Sequence, residues 1–233
     1  MMPDRGALPK YMHMSELLLR EIAAGRLRVG DRLPPEREMA QGMGVAVGTL
    51  RKALARLTDL GVIDRRQGSG NYIATSGQGS GLYSFFRLER IDGGGLPRAQ
   101  VLSVLSVPKP DGAPDFGRAH MAQRIRRLRS LDHVTVAAEE IWLDAGRVPE
   151  LHAADLSESL YLYYRKRLGI WITGVEDRIG LGHVPGWGAQ IGLACGAPCA
   201  RVDRISTALE GDPVEYSQTW FNPDRARYVA RIS

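Results

Sequence analysis

The sequence predicts an α+β chain in two parts: a helical first third closed by a small β-hairpin, then a strand-rich remainder built on a mainly antiparallel sheet. Three patterns predict it. Apolar residues recur at helical spacing near residues 17–22 and 50–60. Two strand-like runs flank the glycines of RRQGSGNYIA, residues 65–74. From about residue 98 the pattern changes to alternating, β-branched runs. With 233 residues, 44% apolar and 24% charged, the chain has material for one large core or two modest ones.

The first helix takes its stripe from Leu17, Leu18 and Ile22 and is expected to stop at Gly25. Val29-Gly30-Asp31 reads as a turn. Pro34-Pro35 followed by Glu36, Arg37 and Glu38 starts a second helix near Pro35, because proline fits the first turn and acids there suit the helix dipole. That helix ends around Gly42 to Gly44. A third runs through TLRKALARLTDLG, with Leu50, Leu54 and Leu57 on one stripe, Ala53 and Leu60 widening it, and Gly61 as cap. Arg51, Lys52 and Arg56 fall outside the stripe. Two short helices joined by a glycine-bearing turn form a helix-turn-helix unit, whose second helix enters the major groove.

Gly68-Ser69-Gly70 has two readings, a phosphate-cradling loop or the tip of a hairpin. A phosphate loop leads into a helix with Lys-Ser or Lys-Thr following, whereas Asn71-Tyr72-Ile73-Ala74 is strand-like. The stretch is therefore read as a wing beside the helices, basic at its base and bare at its tip. Its glycines supply the positive φ of a tight turn and let the backbone approach a narrow groove. Residues 1–75 carry 12 Lys/Arg against 8 Asp/Glu, and the remainder 19 against 18. The excess lies where a polyanion would bind, although an ordinary basic surface has the same balance.

TSGQGSG, residues 75–81, is polar and glycine-rich and reads as a linker. The expected organisation is a first domain over 1–75, a linker over 76–81 and a second domain over 82–233. IDGGG at 91–95 is a loop. AQVLSVLSV, QRIRRLRSL and VTVAAEEIWL are strands, the last two joined by a hairpin at Asp132-His133. DLSESLYLYYRKRLG is a helix opened by Asp155 or Ser157. WITGVEDRIG, CARVDRIST and VEYSQTWF are further strands, with a short helix in VPGWGAQIGLAC. No apolar run approaches the roughly 18 residues of a membrane span, and MMPDRGALPK has no apolar leader core. Cys195 and Cys199 lack the neighbours a zinc site requires and read as small half-buried residues. The expectation is a cytoplasmic protein with no metal and no cofactor.

The chemistry of the second part centres on RIRRLR. On a strand Arg127 and Arg129 share one face, and Arg124 and Arg126 the other. Two adjacent guanidiniums repel unless an anion or carboxylate lies between them, and their forks match phosphate or carboxylate. Glu139 on the next strand is placed to orient one arginine or to take a ligand hydroxyl or amine. A solvated edge strand, with Glu139 or Glu140 merely pairing charge, fits the same pattern. GLGHVPGWG lacks the strand-turn-helix context of a dinucleotide site. LYLYYRKR reads as a helix burying Leu160, Tyr164 and Leu168. No nucleophile–base pair stands out, so no catalytic residue is assigned.

The motifs G-D-R-L-P-x-E-R-E, T-L-R-x-A-L-x-x-L and R-x-G-S-G, in this order over residues 9–75, resemble the winged helix-turn-helix domain of the GntR family of bacterial transcription regulators. The resemblance implies that Arg37, Thr49 and Arg51 touch operator DNA and that Gly68 enters the minor groove. Lys52, Gln67 and Gly70 complete the candidate DNA-binding set. Without the motif, Arg37 and Arg51 would read as surface ion-pair partners of Glu36, Glu38 or Asp59. Many members have Ser at the position of Pro35, Ser or Thr followed by Arg at Ala46-Val47, and a larger polar residue at Gly48. The missing hydroxyl cap costs about 1 kcal/mol, and one base contact is lost with it.

Residues 82–232 resemble the UTRA effector-binding domain of the HutC subfamily, whose fold is related to chorismate lyase. The matching pieces are R-R-L-R, Glu139, D-L-S-x-S-L-Y at 155–161, G-I-W-I, D-P-V-E-Y-S and D-R-x-R-Y. The resemblance implies that Arg127 and Arg129 bind an anionic group and that Glu139 and Glu215 bind the ligand's polar end. Ser159 and Tyr161 would border the pocket. His133 and Thr135 replace a usual Gly and Pro, and Phe221 replaces an aromatic hydroxyl. The ligand is therefore expected to differ from the phosphosugars of many relatives.

Together these imply a ligand-responsive regulator, of repressor type, for a bacterial metabolic operon. It would bind a palindromic double-stranded DNA operator as a homodimer and a small anionic metabolite in its second domain, with no membrane partner. A rival reading is a lyase-type enzyme with an appended DNA-binding domain, which turnover would reveal. A third is a constitutive DNA-binding protein whose pocket has no physiological ligand.

Overall fold

The computed structural model describes residues 8–74, 85–148 and 150–231, so the expected linker at 76–81 lies outside the described residues. The chain divides into two compact units. One holds the described residues between 8 and 96 together with 228–231, and the other spans 97–227.

The first unit contains α1 (Lys10–Ala23), α2 (Glu36–Gly42), α3 (Val47–Asp59), β1 (Ile63–Arg66), β2 (Gly70–Ile73) and β3 (Leu88–Arg90). Leu18, Leu19 and Ile22 of α1 meet Leu50, Leu54 and Leu57 of α3 in one core. Leu17 was expected in that stripe and is only half-buried; the inward positions of α1 run Met12, Ser15, Leu19 and Ile22, at helical spacing. Leu60 was expected to widen the stripe of α3 and is exposed, because it caps the helix beyond its last turn. Gly61 follows at φ +69°, its N–H bonded to the Thr58 carbonyl at 2.9 Å. Pro35 and Ala46 cap α2 and α3 without any side-chain hydrogen bond. In the hairpin Ile63 pairs Ile73 and Arg66 pairs Gly70, with Gly68 at φ +73° in the turn. Residues 30–33 flank β2 on its other side, through Leu33 N–H to Asn71 O at 2.9 Å and Gly30 N–H to Ile73 O at 2.8 Å.

Residues 85–96 pack on α1 within this unit. Arg20 Nη2 donates to Leu88 O at 2.6 Å and its guanidinium sits 5.5 Å over the Phe86 ring. Arg231 grips the buried Glu89 carboxylate in a fork of 2.6 and 3.0 Å, and Val229 N–H donates to Arg87 O at 2.8 Å. Burial pushes the Glu89 carboxyl up, but the Arg231 hydrogen bond and charge hold it below its usual value. Its folded pKa is depressed, so its stabilisation is present above the ordinary carboxylate range and is lost as pH falls through the folded value. Glu89→Gln is expected to cost about 1 kcal/mol near neutral pH, after allowing for screening at the half-exposed Arg231. Melting curves of both proteins should converge as pH falls through and below the ordinary carboxylate range; a constant gap would mean the carboxylate charge is immaterial.

The second unit is a six-stranded antiparallel sheet in the order β4-β5-β6-β9-β8-β7. Its strands are β4 (Pro97–Pro108), β5 (Met121–Leu131), β6 (Val134–Asp144), β7 (Ile172–His183), β8 (Pro198–Ala208) and β9 (Pro213–Phe221). Asp132 and His133 both take positive φ, 46° and 71°, which gives the β5–β6 turn the twist a two-residue hairpin needs. The helix expected to open at Asp155 or Ser157 opens instead after Ser159. Asp155 ends a separate 3₁₀ turn, Ala153–Asp155, and Leu156 is extended, which breaks continuity. The Ser159 hydroxyl accepts from Leu162 N–H at 3.4 Å and caps α4 (Leu160–Tyr163). One π-helical turn, Tyr164–Leu168, continues it and ends at Gly169, φ +69°. That wider turn buries Tyr164 completely and leaves Leu168 only half-buried, against the expectation for Leu168. Of the two free thiols, expected half-buried, Cys195 is exposed and Cys199 buried.

Candidate functional site

In the first unit the candidate DNA contacts cluster on the outer side of α2, α3 and the hairpin. Arg37 is exposed on the first turn of α2. Arg51 and Lys52 are exposed on α3, opposite Leu50 and Leu54, with Thr49 half-buried beside them. Gln67 and Gly68 form the exposed tip of the hairpin. Gly70, at φ +120°, lies so close to Arg32 that a Cβ there would meet Nε at 3.2 Å. Arg66 stacks on Tyr72 at 4.4 Å, stiffening the ribbon just below its turn.

These elements converge on Glu36. Arg51 Nε donates to Glu36 Oε2 at 2.6 Å, and Arg65 Nη2 lies 3.5 Å from Oε1. One carboxylate thus gathers a cation from α3 and one from the hairpin. Pro34, Pro35 and Glu36 also wall a cleft of about 490 Å³ against Arg65–Asn71. Sequence reasoning treated Glu36 only as a dipole partner and as one of several salt-bridge options. Arg51 is 63% exposed, and such a pair is worth little in water, so its guanidinium can exchange Glu36 for another partner at small cost. Arg37 and Lys52 do not line the cleft.

In the second unit register places the other candidates. Arg127 pairs Glu139, Glu139 pairs Thr219, Ser206 pairs Glu215, and Asp177 pairs Arg204. Directly opposed residues point to the same side of a sheet, so all of these share one face. Arg124 and Arg126 lie on the other face with Glu140, at 3.5 and 2.6 Å. β5 is an inner strand and Arg127 and Arg129 are buried, so the solvated-edge reading of RIRRLR falls.

Arg127 Nε donates to Glu139, and Thr219 Oγ1 donates to the same carboxylate at 3.4 Å. Burial pushes the Glu139 carboxyl up, but the charges of Arg127 and Arg129 outweigh it and hold the pKa below the usual value. Burial pulls Arg127 down and Glu139 raises it, with a net rise. The Arg127 Nη1 group is buried without a hydrogen-bond partner among the described residues. Such an orphan donor costs about 1–3 kcal/mol until an acceptor reaches it.

Glu215 is treated differently. It accepts from Tyr164 at 2.7 Å, from Ser206 at 2.9 Å and from Tyr161 at 3.2 Å. Burial raises its pKa, and the donated hydrogen bonds from Tyr164 and Ser206 only partly oppose the rise. One face therefore carries an ionised carboxylate, Glu139, and a second, Glu215, pushed towards its neutral form. Arg129 Nη1 reaches Glu158 O at 3.5 Å, just before α4, and the Ser159 hydroxyl is engaged as the helix cap. Tyr161, Glu215, Glu139 and Arg127 share the face, whereas Ser159 acts on the backbone. Tyr164, Ser206, Arg204 and Asp177 were not foreseen as members. Ser206 opposite Glu215 required the β8–β9 register, and Tyr164 lies three residues after Tyr161 on the same helical segment. Among the described residues no group of three His, Cys, Asp or Glu is placed to hold a metal, and no helix is long and apolar enough to cross a membrane.

Residues 10–73 match the model of bacterial regulatory proteins of the gntR family, and residues 93–227 match that of the UTRA domain. The HTH-type transcriptional regulator SmoD of Agrobacterium fabrum is 51% identical over 97% of both chains. The HTH-type transcriptional repressor NagR of Bacillus subtilis is 23% identical, over 95% of this chain and 94% of its own. A crystal structure of the possible transcriptional regulator YydK from Bacillus subtilis aligns with a TM-score of 0.56 at 21% identity, covering 97% of this chain and all of that one, a likeness of fold.

Proposed function

The chain belongs to the gntR family of bacterial regulatory proteins and carries a UTRA domain, and from that premise we propose that it represses a bacterial metabolic operon in response to a small anionic metabolite. It is a transcriptional regulator and not an enzyme. The first domain, 1–75, carries the DNA contacts Arg37, Thr49, Arg51, Lys52, Gln67, Gly68 and Gly70, and 76–81 links it to the effector part, 82–233, whose sheet lies within the compact unit 97–227. A homodimer in the cytoplasm sets two such heads on a palindromic operator.

The observation that carries the effector reading is the buried, unpartnered Nη1 of Arg127 beside Glu139. It asks for an anionic oxygen. Arg129 supports the same charge, Glu139 accepts from a ligand hydroxyl or amine, and Glu215 with Tyr161 addresses the polar end, while Ser159 holds the helix that borders them. Phe221 offers no hydroxyl, which favours a ligand with fewer acceptors at that point. Binding that prefers one dimer geometry shifts operator occupancy by linkage.

The test uses the full chain. A panel of anionic metabolites is screened by thermal shift, and each hit is added to an operator-binding titration at fixed salt. The expected hit raises the melting temperature, changes operator affinity about 5- to 150-fold and is recovered chemically unchanged. Failure to bind any double-stranded fragment at low ionic strength, with or without metabolites, removes the regulator reading.

A further inference from the structure

We infer that the exposed edge of β7 is where a second copy of this chain docks, strand to strand and antiparallel, about a two-fold axis at Asp177. This names a surface for the homodimer proposed above and rests on that proposal. The sheet has two edges, β4 and β7, and they are built differently. β4 begins and ends in proline and carries a bulge between Val101 and Ser103. Proline withholds a donor and a bulge turns an edge aside, so both keep an edge from pairing. β7 contains no proline, and its one register shift, between Ile172 and Gly174, lies at its start, so from Gly174 to His183 its pairing with β8 is unbroken. Both edges expose aliphatics, but those of β7 are the more exposed, Ile179 at 58% and Leu181 at 86% against Leu102 at 40% and Leu105 at 50% on β4. A long, regular, apolar edge of this kind pairs with another strand.

The charges of β7 select its own copy. In an antiparallel pairing centred on Asp177, Glu176 lies opposite Arg178 of the other copy, and the same pair repeats across the axis. On the opposite face Val175 meets Ile179, so this exposed aliphatic gains an apolar neighbour. An axis at Glu176 or at Arg178 would instead oppose like charges. Asp177 meets its own image, but each carboxylate is already held in a fork by Arg204 at 2.6 and 2.7 Å. Glu176 and Arg178 now pair within one chain at 2.8 Å, 64% and 73% exposed, and exchanging that pair across the axis costs little. The fork also links the axis to the effector face, since Arg204 adjoins Tyr161, which bonds Glu215.

Sedimentation and light scattering of the full chain test this with Glu176→Arg and Arg178→Glu, both at exposed positions. The wild type is expected to be dimeric. Each variant alone opposes like charges twice and should raise the dimer dissociation constant about 100-fold. An equimolar mixture of the two variants restores both pairs and should return to dimer. If the wild type is dimeric and both variants keep its dissociation constant, the β7 surface is wrong and the dimer stands. If each variant dissociates but the mixture does not recover, the axis at Asp177 is wrong. A monomeric wild type removes both the surface and the dimer.

Discussion

Arg127→Ala is expected to weaken binding of the anionic effector by 2–5 kcal/mol, about 30- to several thousand-fold, because it removes one side of a buried charge-assisted contact. The metabolite that raises the melting temperature of the wild type should then produce no shift. The same change strips Glu139 of its main counter-charge, and breaking a buried pair costs about 3–5 kcal/mol of stability. The two effects are separable. In the wild type Arg127 holds the Glu139 pKa below its usual value, so the pair's contribution is present above the ordinary carboxylate range and is lost as pH falls. In the variant burial acts with less opposition, Glu139 takes up a proton more readily, and the stability deficit should shrink towards acid pH. Arg127→Met combined with Glu139→Leu removes both charges and should recover much of the stability while leaving ligand binding absent. A variant that unfolds less at acid pH and still shows the full ligand shift would remove Arg127 from the site.

The parts of this molecule legible in its sequence are those set by local geometry. The stripe of α3 follows from Leu50, Leu54 and Leu57, and the hairpin from two strand-like runs around Gly68. The shared face of Arg127 and Arg129 follows from the two-residue period of a strand, and it survives because the β5–β6 bulge falls after Arg129. Most of the misses originate in contacts distant along the chain, and one in a local break. Leu17 and Leu18 look equivalent until α3 selects one side of α1. Ser159, rather than Asp155 or Ser157, caps α4 because Leu156 is extended. Ser206 reaches Glu215 only through the register of β8 on β9. Arg204 reads as one more strand arginine until β7 brings Asp177 beside it. A resemblance supplies roles for matching residues, but it is silent on these supports.

Arg51→Ala should lower operator affinity by about 1–3 kcal/mol and relax discrimination at one base position, as expected of an arginine gripping a guanine edge. Lys52→Ala should instead weaken all sequences alike and reduce the salt slope by about 1, the mark of a phosphate contact. Anisotropy titrations between about 50 and 200 mM salt, on operator and scrambled duplexes, distinguish the two. The Arg51–Glu36 ion pair is compatible with this assignment. It is exposed, and Glu36 also faces Arg65, so the carboxylate parks two cations that can be released to the duplex when DNA arrives. Glu36→Gln provides the control. It removes a negative charge from the face and releases both arginines, so non-specific affinity should rise while discrimination among operators stays. If Glu36→Gln lowers affinity as much as Arg51→Ala does, the pair serves to build the helix-turn-helix rather than to wait for DNA, and Arg51 is a structural residue.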